Sequence, residues 1–199
     1  RPDSGPSNDR SVVFLYWHDD SLMVYVDTSG EPLSNRGYRV HPAKAPMRET
    51  LAAAVVLSTR WNIHQPFVNP MCGSGTLAIE AAMIAQNIAP GAHRDNFGFL
   101  HLLPFDVRTW TSMRNATFDE ELSASPASIT ASDIDGRVIQ QARDNARRAG
   151  VSVQFSTQDF RGVQMPPISE GASHADGTPV IIYNPEYGIR LGDADQLVE

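Results

Sequence analysis

Cys72-Gly73-Ser74-Gly75-Thr76 is the stretch best suited to hold a small charged ligand. Val68-Asn69-Pro70-Met71 leads into it and an alanine-rich run follows. Gly73 and Gly75 permit a tight turn, and the run after Thr76 is a good helix former. A strand, a glycine turn and a helix N-terminus present backbone N–H groups around a concavity. Nucleotide-like or anionic groups bind at such places in open α/β sheets. Three ligands suit the turn. A phosphate-binding loop needs Lys directly after its second glycine, where this chain has Thr76. A dinucleotide fingerprint fits from Gly73 to Ala78, but no strand ending in an acid follows about 20 residues later. S-adenosylmethionine is the third, charged at its amino-acid end, and the choice depends on what later strand ends supply.

Those ends carry Asp133-Ile134-Asp135, Asp159-Phe160 and Asn184-Pro185-Glu186-Tyr187. Either aspartate of the first set could cap the helix that follows; Asp135 is the better cap, and Asp133, at the strand end, is the better ligand. Asp159 is a turn residue or a ligand. Asn184 could end its strand by hydrogen-bonding locally, but Asn-Pro before an aromatic favours a site. Cys72 reads as a small packing residue with no nucleophilic role.

The elements that position these residues follow from periodicity and punctuation. Residues 12–17 and 22–27 alternate as two strands around His18-Asp19-Asp20-Ser21 and form a hairpin that must pack on something else. Residues 33–46 hold Arg36, Tyr38, Arg39 and Lys44 with little periodicity, either an RNA contact or a solvated connector. A helix is expected over 47–61, with Leu51, Val55 and Ser58 on one face and Ala52, Val56 and Thr59 beside it, covering the first strand's edge. The helix after the glycine turn should run to about Asn87, where Ala89-Pro90-Gly91 stops it. An irregular segment over 93–104, a helix over 105–122 with core aromatics, and a strand over 128–132 come next. Then follow a helix over 136–149 closed by Gly150, a strand over 151–155, a Pro/Gly/Ser loop over 161–178, and a buried strand over 180–183. Repeated β-α units with polar strand ends give an α/β, Rossmann-like parallel sheet preceded by a hairpin.

Composition narrows the partners. With 199 residues and a net charge of −7, the chain has no overall electrostatic footprint for nucleic acid, so local basic residues or another domain must attract any RNA. A single cysteine leaves no disulfide framework and points to a reducing cytoplasm. Six scattered histidines argue against a metal site, and no apolar run approaches a membrane span.

The strand ends taken together resemble a class I S-adenosylmethionine-dependent methyltransferase. The resemblance implies that Asn69, Cys72, Gly73, Ser74, Gly75 and Thr76 surround the methionine portion of the cofactor. Asp133 would accept from the ribose hydroxyls with Ile134 on the adenine, and Asp159 would accept from the adenine amino group with Phe160 on its face. Asn184-Pro185-x-Tyr187 resembles the N-P-P-Y motif of enzymes that methylate amino nitrogens, so Asn184, Pro185 and Tyr187 are the expected catalytic residues. More narrowly, Asp27-Thr28-Ser29-Gly30, Arg36-Gly37-Tyr38-Arg39, Ala45-Pro46-Met47-x-Glu49-Thr50-Leu51, Pro70-Met71-Cys72-Gly73-Ser74-Gly75-Thr76, Ile79-Glu80-Ala81-Ala82 and Ala89-Pro90-Gly91 resemble the THUMP-containing guanine-N2 RNA methyltransferases.

That family implies structured RNA as the partner, ribosomal more than transfer RNA. It divides the chain into a lead-in over 1–10, a hairpin and linker over 11–45 ending a THUMP-type region, and a methyltransferase domain over 46–199 that lacks its last strands. Two residues depart from the pattern: the family has Asp at position 69 and a second Pro at 186. The alternatives are therefore an amino-methyltransferase acting on DNA adenine or a protein amide, and a catalytically lapsed cofactor- or RNA-binding module.

Overall fold

The computed structural model describes residues 10–40, 46–166 and 178–185. The chain divides into two compact units that interleave in sequence. Residues up to Gly37 join Asn87–Glu121, and Tyr38–Gln86 joins the residues from Leu122 onward.

In the first unit, β1 (Val12–His18) and β2 (Ser21–Asp27) pair antiparallel from Val12↔Asp27 to His18↔Ser21. Val13, Leu15, Trp17, Leu22, Val24 and Val26 fall on one face, and Phe14, Tyr16, Met23 and Tyr25 on the other. All of these are exposed, so the covering expected for this hairpin is not found among the described residues. Its base is anchored instead. Phe99 N–H donates to the Thr28 carbonyl at 3.0 Å, and Gly98 lies so close to the Asp27 carbonyl that a Cβ would meet it at 2.3 Å. Arg94, buried, donates to the carbonyls of Ser29, Glu31 and Pro32 and lies 4.8 Å over the Phe97 ring. The segment over 93–104 includes one 3-10 turn, Gly98–His101. Helix α3 (Val107–Asp119; α1 and α2 belong to the second unit) is capped by Asp106, whose carboxylate accepts the Arg108 N–H. The core role expected of this helix's aromatics is corrected: no residue of α3 is buried, and Phe118 is exposed, although Trp110 meets Phe97 and Phe99 edge-on at 5.5 and 5.0 Å.

The second unit carries a parallel sheet of four strands in the order β5-β4-β3-β6. These are β3 (Phe67–Asn69), β4 (Ile129–Asp133), β5 (Gln154–Thr157) and β6 (Val180–Ile181). The fold is the α/β parallel sheet that the β-α pattern implies. Helices α1 (Glu49–Ser58), α2 (Thr76–Ala85) and α4 (Gly136–Arg148) belong to it. Nine of the ten residues of α2 are buried, which explains its alanine-rich, non-amphipathic sequence.

Three helix expectations are corrected. Helix α1 packs on α2, not along the edge of the first strand. Its inward residues are Glu49, Ala52 and Val56, while Leu51 is exposed, because the face is set by α2 and not by bulk. Helix α2 ends at Ala85, before the proline, since Asn87 adopts φ 55°. Helix α4 buries Ile139, Ala142, Asn145 and Ala146 and closes in a Schellman motif, with Gly150 (φ 68°) donating to Arg147 and Val151 to Ala146. Strand β5 starts at Gln154, later than its alternation suggests. Gln86 and Leu122 are bound in both directions: Leu122 N–H donates to the Gln86 carbonyl at 2.8 Å, and Gln86 Nε2 to the Leu122 carbonyl at 3.3 Å.

Among the described residues no helix is long and apolar enough to cross a membrane, and no group of acidic, His or Cys side chains could hold a metal ion.

Candidate cofactor and acceptor site

The glycine turn leaves β3, the strand between β4 and β6, so three carboxyl ends converge here. Met71, Gly73 and Gly75 take φ of 54°, 54° and 83°, which reverses the chain into α2. The turn is expected to offer free N–H groups, but most are already engaged. Cys72 N–H donates to the Ser132 carbonyl, Gly75 N–H to the Cys72 carbonyl, and Gly73 N–H to Asp133 Oδ2, each at 2.9 Å. Donors remaining for a ligand come from the first turn of α2, which no intrahelical carbonyl satisfies. A Cβ on Gly73 would meet nothing within 4 Å, so its outer side is open.

Asp133 holds two backbones at once, Gly73 N–H on Oδ2 and Asp135 N–H on Oδ1 at 3.1 Å. A carboxylate has about four acceptor positions, so two remain for hydroxyl donors. Asp135 caps α4 through the Arg137 N–H, the role expected of it. Asp159 lies just beyond β5, where it caps a 3-10 turn and pairs with Arg161 at 2.9 Å. The Arg161 guanidinium and N–H hold its carboxyl down at about 2. Ile134 and Phe160, which follow the two aspartates, are both exposed.

Asn69 is fully buried at the end of β3. Its Nδ2 donates to the Ile182 carbonyl at 2.8 Å, and its Oδ1 has no partner among the described residues. Asn184 and Pro185 are exposed beyond β6. Glu186 and Tyr187 lie outside the described residues, as does Lys44. Burial pushes the Cys72 thiol up to about 12, with the Asp133 charge adding to it, as suits a packing residue.

The two described arginines of the basic segment before α1 are not those of a solvated connector. Arg36 is buried. Arg39 turns inward, donating to Glu49 Oε1 at 2.9 Å, to Ser74 Oγ and Thr76 Oγ1 at 3.2 Å each, and to the Met47 carbonyl at 3.0 Å. Ser74 and Thr76 therefore each give one hydroxyl lone pair to the scaffold and keep their O–H donors. Beside them, Asn145 donates to the Ser74 carbonyl and accepts the Val40 N–H, and Tyr38 donates to Glu80 Oε1. Burial, reinforced by the Glu80 and Glu49 charges, raises the Tyr38 hydroxyl far above its ordinary range. These supports were missed in the sequence. Asn145 alone gave a signal, as an amide on the apolar face of α4.

Ribosomal RNA large subunit methyltransferase K/L of Vibrio cholerae serotype O1 is 41% identical over 191 residues, covering 94% of this chain and 26% of that protein. SMU.472, assigned as a methyltransferase and solved complexed with SAH, superposes with a TM-score of 0.80 at 36% identity, covering 94% of this chain and 47% of that one. A Listeria monocytogenes protein assigned as an N6-adenine-specific DNA methylase gives the same TM-score of 0.80 at 36% identity, over 93% of this chain and 47% of that one. The chain thus spans about a quarter of the curated relatives' length and about half of the solved chains. Residues 36–199 match the UPF0020 family, and the chain belongs to it as an RMKL-like methyltransferase domain.

Proposed function

We propose that this chain is the cofactor-binding part of an S-adenosylmethionine-dependent methyltransferase acting on guanine N2 in large-subunit ribosomal RNA. The observation that carries the reading is the Gly73–Asp133 hydrogen bond, which ties the glycine turn of β3 to the acid at the end of β4. Two features around the glycine turn fit the cofactor. The buried Asn69 Oδ1 lacks a donor, which an ammonium group supplies, and the outer side of Gly73 is open. The adenine would lie between the exposed Ile134 and Phe160, with Asp159 accepting from its amino group. SMU.472, complexed with SAH, supports this assignment. When bound, the cofactor supplies a methyl group activated on a sulfonium.

The acceptor amine is a poor nucleophile because its lone pair is delocalised into the purine. Asn184 Oδ1 and the Pro185 carbonyl would accept its two N–H bonds and aim the lone pair, and Tyr187 would stack on a base turned out of its helix. Positioning carries most of the rate, since the amine can shed its proton after transfer. RNA capture is assigned to a THUMP-type region preceding the methyltransferase domain over 46–199. Adenine N6 is the rival acceptor, favoured by the name of the Listeria protein. In the full-length protein, Asn184→Ala should lower methylation of a guanine-containing rRNA fragment about 100-fold, with S-adenosylmethionine affinity unchanged. Equal loss of both would overturn Asn184's role, and preference for adenine oligonucleotides would overturn the acceptor.

A further inference from the structure

Strand β6 enters the acceptor segment through Ile182, and its last ladder bond cannot be an ordinary one. Ile182 N–H donates to the Val68 carbonyl at 3.0 Å. In a parallel ladder the next bond runs from the N–H of residue 70 to the Ile182 carbonyl. Residue 70 is proline and has no N–H. The Asn69 side chain stands in for it, with Nδ2 at 2.8 Å from the Ile182 carbonyl and 3.3 Å from that of Pro70. Both neighbours are acceptors, so the nitrogen must face them and Oδ1 must face away. Ile182 precedes Tyr183 and the exposed Asn184-Pro185.

We infer that Asn69 is a positioning residue for the acceptor segment, its amide replacing the backbone donor that Pro70 removes. This rests on the methyltransferase reading for its catalytic consequence, though not for its structural one. An ionised Asp offers two acceptors and no donor, so at this position it would set a carboxylate against the Ile182 carbonyl. The asparagine is therefore no lapsed aspartate: its Nδ2 holds β6, and its Oδ1 keeps its acceptor capacity unused among the described residues.

The test uses the full-length protein and separates the two ends of the side chain. Asn69→Asp keeps an acceptor for the cofactor's ammonium and removes the donor to Ile182. S-adenosylmethionine affinity should be retained, while kcat falls roughly 10-fold, the scale of one lost hydrogen bond. Amide exchange over 178–185 should rise. Adding Pro70→Ala restores an N–H at position 70, so the double variant should regain both exchange protection and kcat. Unfolding of Asn69→Asp relieved by Pro70→Ala would support the same assignment. Unchanged exchange in Asn69→Asp, higher kcat in that variant, or failure of Pro70→Ala to rescue it would overturn the inference. A wild-type protein that binds no S-adenosylmethionine would overturn the methyltransferase reading, and the exchange measurements would still decide the clamp.

Discussion

Arg39 and Glu49 meet at 2.9 Å with side chains only 17% and 9% exposed, and the same guanidinium reaches the hydroxyls of Ser74 and Thr76. The segment before α1 is thereby wired to the glycine turn. Arg39→Ala leaves a carboxylate buried without its partner, a change that costs about 3–5 kcal/mol. Chemical denaturation of the full-length protein should show that loss. Arg39→Lys keeps the charge but not the fork and should fall between. Arg39→Met with Glu49→Leu should be less harmful than Arg39→Ala alone, because no charge is stranded. An Arg39→Ala protein as stable as wild type would refute this account.

The two glycines of the turn should fail differently. Gly75 takes φ 83°, and a Cβ there would sit 3.0 Å from the Ala142 methyl and 3.3 Å from the Phe155 ring. Gly75→Ala combines backbone strain with overpacking and should cost about 2–4 kcal/mol of stability. Gly73 takes φ 54° with open space beside it. Gly73→Ala should cost only about 1–2 kcal/mol and lose S-adenosylmethionine binding, because its methyl would occupy the space left for the ligand. Denaturation and calorimetry on both variants test the contrast, and equal losses in both measurements would contradict it.

Cys72 should be chemically quiet. Its thiol is raised to about 12, first by burial and then by Asp133. At pH 8 the thiolate is then about one part in 10⁴, against roughly a quarter for an ordinary thiol near 8.5. Alkylation by iodoacetamide in the native protein should be slower than for a free thiol by about a thousandfold or more. Because the folded value lies above the unfolded one, the thiol's contribution to stability is complete below about 8.5. It declines as the pH climbs toward 12. Rapid labelling at pH 8 would show that the turn opens in solution.

Strand ends and punctuation were legible because local chemistry decides them. Asp135 announced itself as a cap, Gly150 as a helix terminator, and the β-α alternation as a parallel sheet. What stayed hidden depends on partners distant in sequence. Of the apolar residues expected on neighbouring faces of α1, the packing on α2 buries Ala52 and Val56 and leaves Leu51 exposed. Arg36 and Arg39 looked like either an RNA contact or a solvated connector because a basic run is ordinarily exposed. The inward turn of Arg39 depends on acceptors such as Glu49, Ser74 and Thr76, which no pattern at Arg39 announces. Asn69 looked like a weakened aspartate until Ile182, 113 positions away, supplied the acceptor that gives its amide a purpose.

The reciprocal bonds between Gln86 and Leu122 make the intervening stretch a cassette. Its entry and exit are fastened to each other at its base, so closing the loop is settled locally, and longer or shorter inserts change that entropy only slowly. Evolution could exchange the whole insert, α3 and its aromatics included, without disturbing the hydrogen bonds that hold β3 against β4. Changes of length between the two fastened residues therefore leave the Gln86–Leu122 pair itself in place.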